Sequence, residues 1–230
     1  MPRDTLTRDQ IVRTAVELLD TDGLEGLNMR ALGKRLDSAA TAVYWHVKNK
    51  DNLVLLATDR VWGELGLPDP GTAGWRTAAS AMATDLYGMF VRHPWLVQVL
   101  AAHVVYGDGK ARHDDHSLAV YEAAGFTGDR ADRAAATVFT YVLGNASGIA
   151  ATASLTRGHD TDRTAVEARF EEAMAKAREI AMRYPRLRVR LETPAAAEYA
   201  AAPDQTFEFG LRALLDGLEQ DLTARQKQPQ

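Results

Sequence analysis

The chain contains no cysteine among its 230 residues. That excludes disulfide frameworks, thiolate zinc sites, iron–sulfur clusters and cysteine nucleophiles, and it fits a reducing compartment. No uninterrupted apolar run approaches the ~20 residues of a membrane span. The start, Met1-Pro2-Arg3-Asp4-Thr5, is polar with no apolar leader behind it, so a cytoplasmic location with no membrane partner is expected. There is no surplus of positive charge: 31 acids against 27 bases leave a net charge of -4, so any nucleic-acid contact has to come from a local patch. Nucleophile motifs, glycine-rich phosphate loops and carboxylate-rich metal sets are also lacking, which argues against an enzyme and leaves no cofactor to expect.

What is present is an ordinary globular balance, 46% hydrophobic and 25% charged, on a chain long enough to bury its own core. The apolar periodicity is helical almost throughout, so an all-α fold is expected. Thr7 and Gln10 form a capping box for the first helix, with Leu6 and Ile11 at staple spacing. Ile11, Ala15, Leu18 and Leu19 line its inner face, and Gly23 is placed to stop it. Asn28 caps a second helix carrying Met29, Leu32 and Leu36, and Asp37-Ser38 reads as a tight turn. A third helix is expected over 39–47, with Val43 and Val47 inward. Residues 49–52 cap a fourth, whose Leu53, Leu56 and Val61 share a face.

The run 67–74, with two prolines and two glycines, is the clearest boundary. Beyond it, helices are expected from Trp75 to before Pro94, then over 95–106, 113–124, 129–155, 164–184 and from an Asp204 cap onward. A polar loop at 157–162 and proline punctuation at 185, 194 and 203 separate the last of these. The resulting division is 1–66, 67–224 and a disordered tail at 225–230.

Residues 29–48 read as a helix-turn-helix. One short helix braces across the phosphate backbone, and the next presents its outer face to the major groove. Arg30, Lys34, Arg35, Lys48 and Lys50 stand in this window against Asp37 alone, while acids outnumber bases elsewhere. Such a window is either the electrostatic footprint of DNA binding or a solvated helix face.

The string Val43-Tyr44-Trp45-His46-Val47-Lys48-Asn49-Lys50-Asp51-Asn52-Leu53 resembles the end of the DNA-binding domain of the tetracycline-repressor (TetR) family, and the preceding pattern from Ile11 to Leu36 is similar to that family's first two helices. The resemblance covers roughly 7–60. It implies backbone, sugar or thymine-methyl contacts from Tyr44, Trp45 and His46, with Lys48 beside them, a phosphate contact from Lys50, and contacts from Asn28, Met29 and Arg30 at the start of the second helix. It places base-edge readers at Ala39, Ala40 and Thr41. Here the chain departs from the tetracycline repressor, because Ala40-Thr41-Ala42 stands where that branch has Gln-Pro-Thr; alanine offers only a methyl group, suited to thymine.

Gly74-Trp75, Arg92-His93-Pro94, Gly125-Phe126 and Phe209-Gly210-Leu211 resemble the family's ligand-binding and dimerisation domain. The resemblance implies a homodimer packed through the helices at 129–155 and 204–222. Gly144 and Gly148 permit close helix approach, either in that seam or within one chain. Met82, Leu86, Phe90 and Phe139 are expected to wall an effector pocket or plain core, with His103 and Tyr106 on a short helix beside it. Asn145 shares a stripe with Val138, Val142 and Ile149, where it meets a ligand or a facing helix. His113 and His116, at i, i+3 with acids between, suit either a divalent ion or an exposed helix start.

The resulting expectation is a homodimeric transcriptional regulator, a repressor released from a palindromic double-stranded DNA operator by a small-molecule effector. The alternatives are an activator, or a helical metal-binding hydrolase using His113 and His116. Lys50→Ala is expected to weaken binding to all DNA about equally and to flatten the salt dependence by about one unit, whereas Thr41→Ala changes base preference. Titrations of both variants against a panel of duplexes at several salt concentrations check this.

Overall fold

The computed structural model describes residues 6–156, 163–193 and 203–226. Twelve α-helices and no strand occur among them. The expected loop at 157–162, Pro194 and residues 227–230 of the expected tail lie outside the described residues, whereas Arg225 and Gln226, expected from the sequence in the disordered tail, end the last helix.

The first four helices are α1 (Arg8–Gly26), α2 (Met29–Arg35), α3 (Ala40–Val47) and α4 (Lys50–Trp62). Their ends follow the sequence signals closely. Thr7 and Gln10 close a reciprocal box: the Gln10 amide donates to Thr7 Oγ1 at 3.2 Å and the Thr7 amide donates to Gln10 Oε1 at 2.9 Å. Asn28 accepts from the Ala31 amide at 2.9 Å, and Asn49 from the Asn52 amide at 2.7 Å. Gly23 interrupts α1 rather than ending it; its backbone swings to φ 69°, and one more turn follows to Gly26. Asp37 turns the chain between α2 and α3 at φ 46°, a left-handed conformation that a short polar side chain tolerates. Gly33 lets α2 lie close to that turn, since a Cβ there would sit 2.7 Å from the Ser38 carbonyl oxygen.

Pro70 opens a single turn, α5 (Pro70–Ala73), capped by Asp69. Then come α6 (Trp75–Arg92), α7 (Trp95–Ala102), α8 (Asp108–Ala123), α9 (Asp129–Thr156), α10 (Arg163–Ala181), α11 (Pro185–Leu191) and α12 (Pro203–Gln226). Three of these depart from expectation. The helix α7 stops at Ala102, and α8 begins five residues before His113, so His113 lies in mid-helix and its acidic neighbours do not occupy the first turn. The stretch at 185–191, which the prolines mark as irregular, is helical because Pro185 stands at its first position, where no amide donor is needed.

One continuous core runs from Ile11 in α1 to Leu215 in α12. The helix α9 packs on α6, α7, α8 and α12. Its stretch Asp129–Ala151 is long and apolar enough to cross a membrane by length and composition, yet Val138, Val142 and Ala146 are core residues. The helix α12 is fastened by the Tyr87–Phe207 stack at 4.1 Å and by Tyr141, whose hydroxyl donates to the Phe207 carbonyl at 2.9 Å. Arg76 on α6 pairs with Asp216 and Glu219 of α12.

The N-terminal helices meet the rest at two polar joints. Asp20 of α1 accepts from Trp95 Nε1 and contacts His93 Nδ1, each at 2.7 Å. At the end of α4, the Asp59 carboxylate accepts the Lys110 amide at 3.1 Å in the first turn of α8, and Arg112 donates to the Gly63 carbonyl at 2.7 Å. An acid at a helix start is favoured by the unpaired amides and the helix dipole. The joint needs Gly109, because a Cβ there would press into the Asp59 carbonyl and approach the Gly63 nitrogen to 2.8 Å. Gly109→Ala is expected to destabilise the protein by about 1–3 kcal/mol through this overpacking, read as a lower midpoint in urea unfolding.

Candidate DNA interface and effector cavity

Helix α3 has two sides of opposite character. Val43 and Val47 are fully buried against α1, α2 and α4. The opposite face carries Thr41, Tyr44, Trp45 and His46, all exposed, with Trp45 at 90% exposure and Tyr44 at 50%. Tyr44 and Trp45 thus leave two adjacent large aromatics in water on a well-anchored helix, where such side chains are ordinarily drawn inward. Ala39 is exposed, and Ala40 is half-buried against the core.

Around this face stand Asn28, Arg30, Lys34, Arg35, Lys48 and Lys50, all exposed. Lys48 leaves α3 at φ 61°, with its amide donating to the Tyr44 carbonyl at 2.9 Å. Lys50 Nζ donates to the Leu24 carbonyl at 2.7 Å, which ties α4 to the end of α1 and leaves further ammonium protons for another acceptor. Met29 is the exception within the predicted set. It is 7% exposed and faces the core, because the residue just after the Asn28 cap turns its side chain toward α1. It anchors the interface and is not part of its surface.

The second feature is a cavity of about 260 Å³ bounded by α6, α8 and α9. Its walls are largely apolar: Met82, Leu86, Val138 and Phe139 are joined by Ala79, Ala83 and Tyr121. The polar groups concentrate on α8, where Lys110, His113, Asp114 and Ser117 line it, with Asp132 from α9. Lys110 Nζ bonds Asp114 Oδ2 at 2.5 Å and lies 5.0 Å from the Trp62 ring centre. Partial burial of the Asp114 carboxyl would raise its pKa, but its contacts with His113 and Lys110 outweigh this and hold it below the usual carboxylate value. Burial pushes the Tyr121 phenol up, so it is a neutral group at physiological pH.

Met82, Leu86 and Phe139 are thus brought together, whereas four predicted lining residues are not. Phe90, one turn beyond Leu86, is 1% exposed and packed into the core. His103 and Tyr106 follow the end of α7, away from the cavity walls, and Tyr106 is 66% exposed. Asn145 neither lines the cavity nor reaches a facing helix. Its Nδ2 donates to the Tyr141 carbonyl of its own helix at 2.8 Å, which satisfies a half-buried amide locally. For His103 and Tyr106 the reason is the early stop of α7 at Ala102, and the polar lining comes from α8 instead. Periodicity does not reveal this, although His113 stands out in the sequence at i, i+3 from His116 with two acids between them.

The metal reading of that run fails on the donor set. His113 is buried, His116 Nε2 contacts the Pro68 carbonyl oxygen at 2.9 Å, and no group of three or more potential ligands occurs among the described residues. A closed zinc site needs four ligands and a catalytic one about three.

Comparison with known proteins follows the same two features. Residues 11–57 match the family model for bacterial regulatory proteins of the tetR family, and 67–222 match the tetracyclin repressor-like C-terminal domain. The chain is 33% identical over 224 residues to the HTH-type transcriptional repressor DrrR1 of Streptomyces coeruleorubidus, covering 95% of this chain and 79% of that one. It is 40% identical over 144 residues to an HTH-type transcriptional regulator of Saccharopolyspora erythraea, covering 62% of this chain and 60% of that relative's length. Among solved structures it is similar to ActR from Streptomyces coelicolor in complex with actinorhodin, with a TM-score of 0.72, 26% identity, and coverage of 94% of this chain and 96% of that one. A short helix with an outward aromatic face, a larger helical C-terminal part and these matches lead to one conclusion: the chain belongs to the TetR family of DNA-binding transcriptional regulators.

Proposed function

We propose that this regulator is a homodimeric, cytoplasmic repressor that leaves a palindromic operator when a small molecule enters the α6–α8–α9 cavity. The observation that carries the reading is Trp45, exposed to 90% on a helix whose other face is locked by Val43 and Val47. Residues 1–66 act as the reader and 67–224 as the regulatory domain. Tyr44, Trp45 and His46 meet the DNA backbone and thymine methyls, and Ala39, Ala40 and Thr41 meet base edges. Asn28, Arg30, Lys48 and Lys50 hold phosphates.

Dimerisation is supported by the outer surface of α9. Ala136, Thr140, Gly144 and Ser147 form an exposed stripe of small residues, and α12 beside it exposes Phe209 at 67%. Such surfaces allow two helix pairs to approach closely around a two-fold axis, which sets two reading helices about one DNA turn apart. The reported complex of ActR with actinorhodin and the repressor name of DrrR1 support an effector-released repressor.

Coupling between cavity and reader runs through the α4–α8 joint. The cavity's polar groups sit on α8, and the first turn of α8 holds Asp59 and Gly63 at the end of α4. A ligand that shifts α8 therefore moves α4, and α4 moves α3. Differential binding of about 1–3 kcal/mol between the two conformations gives graded release, and a nearly complete switch needs about 5 kcal/mol.

Selection of bound sequences from a random duplex pool, repeated with metabolite extracts, tests this. Two inverted half-sites with centres about 10 bp apart or a multiple of it are expected, with enrichment lost in an active extract. A single unpaired site, or no enrichment, overturns the reading. Trp45→Ala is expected to weaken operator binding by about 1–3 kcal/mol with an unchanged urea midpoint, as befits loss of a solvent-exposed contact residue.

A further inference from the structure

The cavity contains a buried imidazole that contacts the Asp114 carboxylate at ion-pair distance but makes no hydrogen bond. His113 is 7% exposed, lines the cavity, and has no hydrogen-bond partner at either ring nitrogen. Its nearest charged neighbour, Asp114 Oδ1, stands 3.7 Å from Nδ1, beyond hydrogen-bond reach. Behind it, fully buried Trp62 also leaves its indole nitrogen without a partner, and the two rings meet edge-on at 5.0 Å between centres. Buried polar groups are nearly always paired, and one that is not carries a desolvation cost. Here the imidazole without a hydrogen bond sits at the polar end of an otherwise apolar chamber walled by Met82, Leu86, Val138 and Phe139.

We propose that His113 is the specificity-determining residue of the effector site, and that it selects molecules with a mostly apolar body and one hydroxyl or carbonyl oxygen placed to bond the imidazole. This rests on the reading of the cavity as the effector site. An anionic effector is disfavoured, because Asp114 and Asp132 both line the chamber and Lys110 is already committed to Asp114. A wholly apolar molecule fills the same volume but leaves His113 without a hydrogen bond. An imidazole N–H donates to a ketone or hydroxyl oxygen, and a ring nitrogen without a proton accepts from a hydroxyl. The His113 ring packs on Trp62 of α4, so a change in the imidazole's position is passed directly to α4.

The test uses two probe pairs that differ by one oxygen: 2-naphthol with naphthalene, and 1-tetralone with tetralin. Binding to the full chain is measured by calorimetry. The unaltered protein is expected to bind each oxygenated probe about tenfold more tightly than its parent hydrocarbon, the scale of one buried hydrogen bond. In His113→Phe the preference vanishes while the hydrocarbons still bind; His113→Gln, which keeps a donor and an acceptor, restores part of it. Circular dichroism of both variants verifies that the helices are intact. A preference that survives in His113→Phe overturns the proposal. So do equal affinities in the unaltered protein, the result expected if a water satisfies the imidazole, and so does failure to bind any probe. These outcomes do not depend on DNA: loss of operator selection would undo the regulatory reading while leaving the oxygen preference standing, and the converse holds as well.

Discussion

The structure depends on the close approach of α4 and α8. Asp59 receives the first turn of α8, Arg112 grips the end of α4 at Gly63, and Gly109 leaves the space that both contacts require. Beneath this joint Trp62 is sealed among His113, Lys110 and Phe139. A flexible connection at residues 67–74 would let the two halves move independently. The joint, together with Asp20 bridging to His93 and Trp95, makes one continuous core of them instead.

That arrangement supports the proposed coupling between the small chamber and a distant helix. The packed interior is dense, so displacement of α8 is passed on to its neighbours instead of being absorbed. The helix α4 lies against α1 and α3 as well as α8, so the helix that meets α8 also supports the exposed aromatic face of α3. On that face the anchoring is aliphatic and deep, while the contact groups are aromatic and exposed; the division fixes the helix in position and leaves its outer side available for a groove.

Much of the N-terminal part was legible in the sequence because its signals are local. Thr7 with Gln10, Asn28 and Asn49 each bond an amide within three residues, so spacing alone places the helix starts. The outward placement of Trp45 follows from Val43 and Val47 at helical spacing. Met29 was misplaced because position at a helix start does not tell which way a side chain points. In the regulatory half, Met82, Leu86 and Phe139 could be identified as one apolar lining, yet Lys110, Asp114, Ser117 and Asp132 went unnoticed. Their role arises from three helices converging, a non-local fact that periodicity does not encode.

The sequence by itself determined the helical class, the caps, the amphipathic faces and the basic window around an aromatic string, since each depends on residues within one or two turns of each other. Only the tertiary structure decided that α7 ends at Ala102, that Asn145 bonds a carbonyl of its own helix, and that His113 is buried without a hydrogen bond. Those outcomes turn on which segments compete for the same space and which polar groups find partners across it. Packing of the whole chain settles that competition, and no local pattern records its result.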